Sequence, residues 1–149
     1  MADGYALDNA WQQARQRLAL LEQELDPATQ RRLLRAGVGS GWRCLEVGAG
    51  GGSIAHWLCG VVGSAGHVLA TDIDTRLAAM GAPANLELVR HDLTHEPLPQ
   101  GDFDLVHCRW LLHHLPDIDA ALERLIGALR PDGTLLVEEP DFYPLADRK

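Results

Sequence analysis

Four glycines crowd into five positions, Gly48, Gly50, Gly51 and Gly52, and few folds accommodate what surrounds them. Before them runs Trp42-Arg43-Cys44-Leu45-Glu46-Val47, mostly apolar; after them comes Ser53-Ile54-Ala55. A short apolar run suits a strand covered on both faces, as in a parallel sheet. Glycine turns where other residues strain, and it has no side chain to hold a ligand off the backbone. Ser53 is placed to cap a following helix. The free N–H groups at such a helix start favour a nucleotide-like or carboxylate ligand.

Two spacings compete for this turn. Gly-x-Gly-x-x-Gly, the dinucleotide fingerprint, is met at Gly48 and Gly50, but Ser53 holds the third place. Glu-x-Gly-x-Gly-x-Gly is met in full by Glu46, Gly48, Gly50 and Gly52.

The rest of the chain alternates in kind. Leu7, Trp11, Ala14, Leu18, Leu21 and Leu25 fall on one helical face. Asp26-Pro27 then reads as the start of a second helix, ended by Gly37. This pair predicts an N-terminal helical segment, residues 1–40, that forms a partial lid with Tyr5 and Trp11 near its mouth. Residues 41–149 form the main domain. A helix over Ser53–Val62, a strand over His67–Asp72, a short helix over Thr75–Met80 and a strand over Leu86–Arg90 follow. Strands over Asp102–Cys108 and Thr134–Glu139 flank a helix over Ile118–Leu129. Strand–helix alternation implies an α/β fold, a doubly wound and mostly parallel sheet of about five strands with right-handed crossovers. Asp72 closes the second strand, where a carboxylate can accept from both hydroxyls of a ribose. Asp74 is its rival two residues on.

Composition narrows the functions available. The 149 residues suit one domain, and 46% are apolar, enough for a real core. A net charge of −8 argues against general affinity for nucleic acid or an anionic membrane. No apolar run reaches the ~18 residues of a membrane span, and the N-terminus lacks a basic-then-apolar signal. Cys44, Cys59 and Cys108 lack zinc spacing and read as free thiols of a cytoplasmic protein. No metal site is expected.

The motifs together resemble the class I S-adenosylmethionine (SAM) dependent methyltransferases, in order, from Trp42 to Glu139. Leu45 to Gly52 resembles their first motif. Val68-Leu69-Ala70-Thr71-Asp72-Ile73-Asp74 is similar to the acidic end of their second strand. His91-Asp92-Leu93 with Phe103-Asp104-Leu105-Val106 resembles the next pair. Leu129-Arg130-Pro131-Asp132-Gly133-Thr134-Leu135-Leu136 is similar to the turn before strand five, with Asp132 where glycine is common. The resemblance implies that Gly48, Ala49 and Gly50 lie against the methionyl part of SAM. It implies that Glu46 serves the ammonium end through water and that Asp72 takes the ribose hydroxyls. Ile73 would cover one adenine face, and Asp92 and the Leu93 N–H would hold its edge. A backbone carbonyl near Cys108 would hold the ammonium group.

The function so implied is transfer of the sulfonium methyl to a small-molecule acceptor by in-line displacement, with S-adenosyl-L-homocysteine as product. SAM brings its own leaving group, so the protein's work is alignment and exclusion of water. A base is needed only if the acceptor must lose a proton. His107, Arg109, His113 and His114 follow the fourth strand, and His113 is the candidate base. An NAD(P)-dependent oxidoreductase and a non-catalytic SAM-binding domain or fragment remain the alternatives. The family's sheet usually has seven strands, so a chain of five leaves strand five at an edge. The expectation is then a homodimer through that edge, or poor solubility relieved by the missing segment, or cover by Phe142, Tyr143 and Leu145 folding back.

Overall fold

The computed structural model describes residues 2–141, with side chains from Trp11 onward. A long helix, α1 (Ala2–Arg35), precedes β1 (Arg43–Val47). There follow α2 (Ser53–Val62), β2 (His67–Asp72), β3 (Leu86–Arg90), β4 (Phe103–Arg109), a 3₁₀ turn at Leu112–His114, α3 (Ile118–Ala128) and β5 (Leu129–Glu138). The strands form one sheet in the order β3-β2-β1-β4-β5, every neighbouring pair parallel. The order reverses direction between β1 and β4, which opens a crevice at the carboxyl ends of those strands.

Alternation along the strands builds two cores. Leu45, Val47, Val106 and Cys108 face α3 together with Leu125 and Ala128. Cys44, Val68, Ala70 and Leu105 face Ile54, Leu58 and Val62 of α2 and Leu33 of α1. Both faces of the sheet are therefore covered, which explains why β1 and β4 read as nearly continuous apolar runs.

Several local expectations are corrected. The two N-terminal helices are one, with Pro27 inside α1. Asp26, placed by its sequence to cap a second helix, instead accepts from Arg109 Nη1 at 2.9 Å. Thr29 and Leu33 beyond it are buried. Proline inside a helix costs about 3 kcal/mol, and these contacts on its C-terminal side offset that cost. Ser53 does not cap α2. Gly52 is the N-cap, left-handed at φ 86°. Thr75–Met80 forms turns rather than a helix, cut short by Gly81 at φ 67°. The Arg130–Gly133 turn is absorbed into β5 as a register shift opposite Phe103 and Leu105, with Asp132 at φ 64°.

Among the described residues β5 has one strand neighbour, β4, and is the sheet's outer strand there. The fold-back of Phe142, Tyr143 and Leu145 lies outside the described residues. No described helix is long and apolar enough to cross a membrane.

Candidate functional site

The glycine turn is tied down from β2. Gly48 N and Ala49 N donate to Thr71 O at 2.8 and 3.0 Å. Gly50 N donates to Asp72 Oδ2 at 2.8 Å, and Asp74 N donates to Asp72 Oδ1 at 3.0 Å. Gly48, Gly50 and Gly52 all have positive φ, at 73°, 56° and 86°. A Cβ on Gly48 would meet Leu111 at 3.2 Å, and one on Gly51 would collide with the Glu22 carboxylate. The turn is a cradle that side chains would fill.

Three cavities adjoin this cradle, one of them over Gly51, Gly52 and His56, and the other two share lining residues. Of those two, one of ≈ 230 Å³ lies between the turn, Glu46 and the α1 residues Leu18, Leu21, Glu22 and Leu25. The other, ≈ 440 Å³, runs over Asp72, Ile73, Asp92 and Leu93. Gly48, Arg109, Trp110 and His114 line both. Together they fall in the range of roughly 300–1,000 Å³ usual for small-molecule sites.

The structure sorts the candidate residues. Asp72 lines the larger cavity and Asp74 does not, because Arg76 grips Asp74 through Nε and Nη2 at 2.9 and 2.6 Å. Ile73 is 65% exposed and lines the larger cavity. Leu93 is buried beneath the cavity. Asp92 accepts from Thr94 N and faces His95 Nδ1, each at 2.9 Å. The His95 ring beside it holds its carboxyl below the usual range. Each oxygen is thus engaged once, and a carboxylate oxygen can accept twice.

Three expectations change. Cys108 lines neither cavity; its side chain is buried in the core, and burial pushes its thiol up to about 12. β4 runs on to Arg109, and Arg109 and Trp110 take the place at the mouth. Trp110 sits at φ 55°, its N–H donating to Glu138 O at 2.7 Å. His113 also lines neither cavity. Glu139 holds its Nδ1 at 2.6 Å while accepting from Leu111 N and Leu112 N, and His114 lines the cavities instead. Trp11 lies under the Arg76 guanidinium, 5.8 Å from the ring centroid, away from both cavities. Tyr5 belongs to α1, but its side chain is outside the described ones.

Glu46 lines the smaller cavity and has in addition a partner that its motif does not announce. Its Oε2 lies 2.5 Å from His107 Nδ1, and His107 Nε2 lies 2.8 Å from Glu138 Oε2. The register places Glu46 directly across from His107. Glu138 falls two residues beyond His107's partner Leu136 on β5, so all three side chains share the face covered by α1. His107 is fully buried. Burial opposes its charge, but the Glu46 and Glu138 carboxylates overcome this and raise it to about 9. Burial likewise works against the Glu138 carboxylate. The imidazole, Thr29 and Arg32 outweigh it and hold that group near 2. Glu46, His107 and Glu138, polar residues within or at the end of apolar runs in three strands, were the available signal for this cluster.

The comparisons with known proteins agree on one family. The profile of a family described as a methyltransferase domain matches residues 45–137. The ubiquinone/menaquinone biosynthesis C-methyltransferase UbiE of Vibrio vulnificus is 31% identical over 122 residues, covering 74% of this chain and 47% of that one. Its Pseudomonas putida counterpart is 33% identical over 112 residues, covering 70% and 44%. A SAM-dependent methyltransferase from Aquifex aeolicus superposes with a TM-score of 0.65 at 26% identity, over 75% of this chain and 66% of that one. The chain spans about half the length of the curated relatives it matches.

Proposed function

This chain belongs to the methyltransferase-domain family, and from that premise we propose that it binds SAM and transfers the sulfonium methyl to a small-molecule acceptor. The observation that carries the proposal is Asp72. Its carboxylate lines the larger cavity between the glycine cradle and exposed Ile73, and backbone N–H groups aim it. In this reading Gly48, Ala49 and Gly50 lie along the methionyl part, Asp72 accepts from the ribose, and Ile73, Asp92 and Leu93 hold the adenine. SAM supplies the activated methyl. The protein excludes water with α1, which serves as the lid of residues 1–40, and aligns the acceptor near Arg109, Trp110 and His114. Where an acceptor must lose a proton, His114 stands at the cavity and His113 behind it. The relatives named above are methyltransferases, so nothing favours hydride transfer. The buried free thiols of Cys44, Cys59 and Cys108 suit a cytoplasmic setting.

Asp72→Ala is expected to weaken SAM binding by about 1–3 kcal/mol, because it strips partners from buried hydroxyls and loosens the Gly50 N–H. Titration calorimetry reads this directly, and unchanged affinity would overturn the ribose assignment. Transfer of labelled methyl to candidate acceptors separates catalysis from binding alone.

A homodimer through the β5 edge completes the proposal, since among the described residues β5 is an outer strand and its centre, Leu135, Leu136 and Val137, is apolar. Sedimentation at micromolar concentration should show a concentration-dependent dimer. A monomer at every concentration would remove this part.

A further inference from the structure

Beneath the cavity lies a polar chain that the proposed chemistry does not use. It starts at Glu46, which lines the smaller cavity. It passes through His107 Nδ1 and Nε2 to Glu138. From Glu138 it enters α1: Thr29 Oγ1 donates to Oε2 at 2.9 Å and Arg32 Nη1 donates to Oε1 at 2.5 Å. A second arm joins the same helix. Arg109 Nη1 donates to Asp26 Oδ1 and Thr29 Oγ1 at 2.9 and 3.0 Å. Around His107 the charges are Glu46 on β1, Glu138 on β5, Arg109 on β4, and Asp26 and Arg32 on α1. With an imidazolium at the centre, three cations balance three carboxylates.

Both ends of this chain bear on the ligand site. Glu46 belongs to the floor beside the glycine turn. α1 supplies Leu18, Leu21, Glu22 and Leu25 to the wall of the same cavity. We infer that His107 is a positioning residue whose imidazolium holds Glu46 and Glu138 together and so couples the docking of α1 to the SAM cavity; this rests on the SAM-site reading above. With both carboxylates ionised, the geometry requires a group that donates from both ends. A neutral imidazole carries one N–H and can donate to one carboxylate only. The imidazolium donates to both, and such charge-assisted bonds are the strong ones. When the proton leaves, one of the two carboxylates loses its donor; where that is Glu138, the carboxylate that Thr29 and Arg32 of α1 bind is no longer tied to β4, and the seat of α1 shifts with it. The proton on His107 lies well above its ordinary range in this setting, so the device is closed at neutral pH and opens in alkali.

His107→Gln is the test variant, since glutamine is uncharged and can still hydrogen-bond one carboxylate. Methyl NMR of Leu25 and Leu33 reports α1, and SAM calorimetry reports the cavity. In the wild-type chain the α1 methyl shifts should follow the titration of the His107 ring, observed by histidine-selective labelling, as pH rises from 7 to 10. SAM affinity should fall with them by about tenfold. In His107→Gln the methyls should already sit at their alkaline positions at pH 7, and the affinity should be about tenfold weaker with no step in pH. Wild-type methyl positions and affinity in a folded His107→Gln variant would overturn the inference. So would a His107 ring that titrates at or below its ordinary value in the wild type, a measurement that stands even where the variant fails to fold. The methyl and ring titrations need no ligand. A chain that binds no SAM at all therefore sinks the proposed function, while the link between His107 and α1 is judged on NMR alone.

Discussion

Replacing His107 with leucine should lower the unfolding free energy at pH 7 by about 3–5 kcal/mol, the range for removing one partner from a buried ion pair. Leucine fills much of the volume but leaves Glu46 and Glu138 facing each other with no cation between them. Glu46 is 4% exposed, so water offers little relief. Total stabilities of about 5–15 kcal/mol are usual for single domains, so the loss is a large share. The pH dependence separates this cause from a packing defect. In the wild type, His107 rises from 6.5 to about 9 on folding. Its contribution is therefore whole below pH 6.5 and lost as pH climbs through 9. Glu138 falls from 4.5 to about 2, so its side of the same pair is whole above pH 4.5 and lost as pH drops through 2. The pair thus stabilises most between those limits. In the leucine variant the stranded carboxylates bind protons more readily folded than unfolded, and acid should stabilise it. Urea denaturation at pH 5, 7 and 9.5 should show the gap widest near neutrality and narrower at both extremes. A gap under about 1 kcal/mol at pH 7, or one independent of pH, would mean that the buried pair does not exist in solution.

Gly50→Val should abolish measurable SAM binding, a loss of at least 100-fold, while the domain still folds. The residue sits at φ 56°, a left-handed conformation costly for any branched side chain. A Cβ there comes 3.5 Å from Leu18 Cδ2 of α1, which is ordinary contact, so the first carbon fits. Gly50 lines the ≈ 230 Å³ cavity between the turn and the helix, so the branched side chain takes up space proposed for the ligand. Gly52 gives the contrast. Its Cβ would lie 2.8 Å from Ala78 Cα, and backbone cannot step aside, so Gly52→Val should cost stability as well as binding. Calorimetry with thermal melts distinguishes the two. A Gly50→Val protein that melts near the wild type and binds SAM normally would count against the cradle as the cofactor's seat.

Much of this fold could be read from local pattern. The strands, the glycine turn and the alternation with helices follow from apolar periodicity and from residues that punctuate it, and both are properties of neighbours in sequence. Asp72 was placed at the site by ending a strand after a glycine turn. Ile73 and Asp92 followed from the resemblance and lie along the same cavity. The choice between Asp72 and Asp74 was decided in space, where Arg76 takes Asp74.

What lay beyond the sequence has a common cause. Pro27 and Asp26 carry a local signal for a helix start, yet α1 runs through, because Arg109, 83 positions away, takes the Asp26 side chain. Ser53 had the chemistry of a cap and lost the place to Gly52, a left-handed position where any Cβ would run into Ala78. His113, the candidate base in the sequence, is held by Glu139, and its neighbour His114 stands at the cavity instead. Glu46 was legible as the acid of its motif but not as half of a pair with His107, 61 positions on. The sequence by itself determined the five strands and their order along the chain, the parallel sheet and the cradle, because these depend on apolar spacing and backbone freedom over a few residues. Only the tertiary structure decided which polar groups meet. Strand register and the seating of α1 bring distant charges into a space without water, and there each must be matched by another.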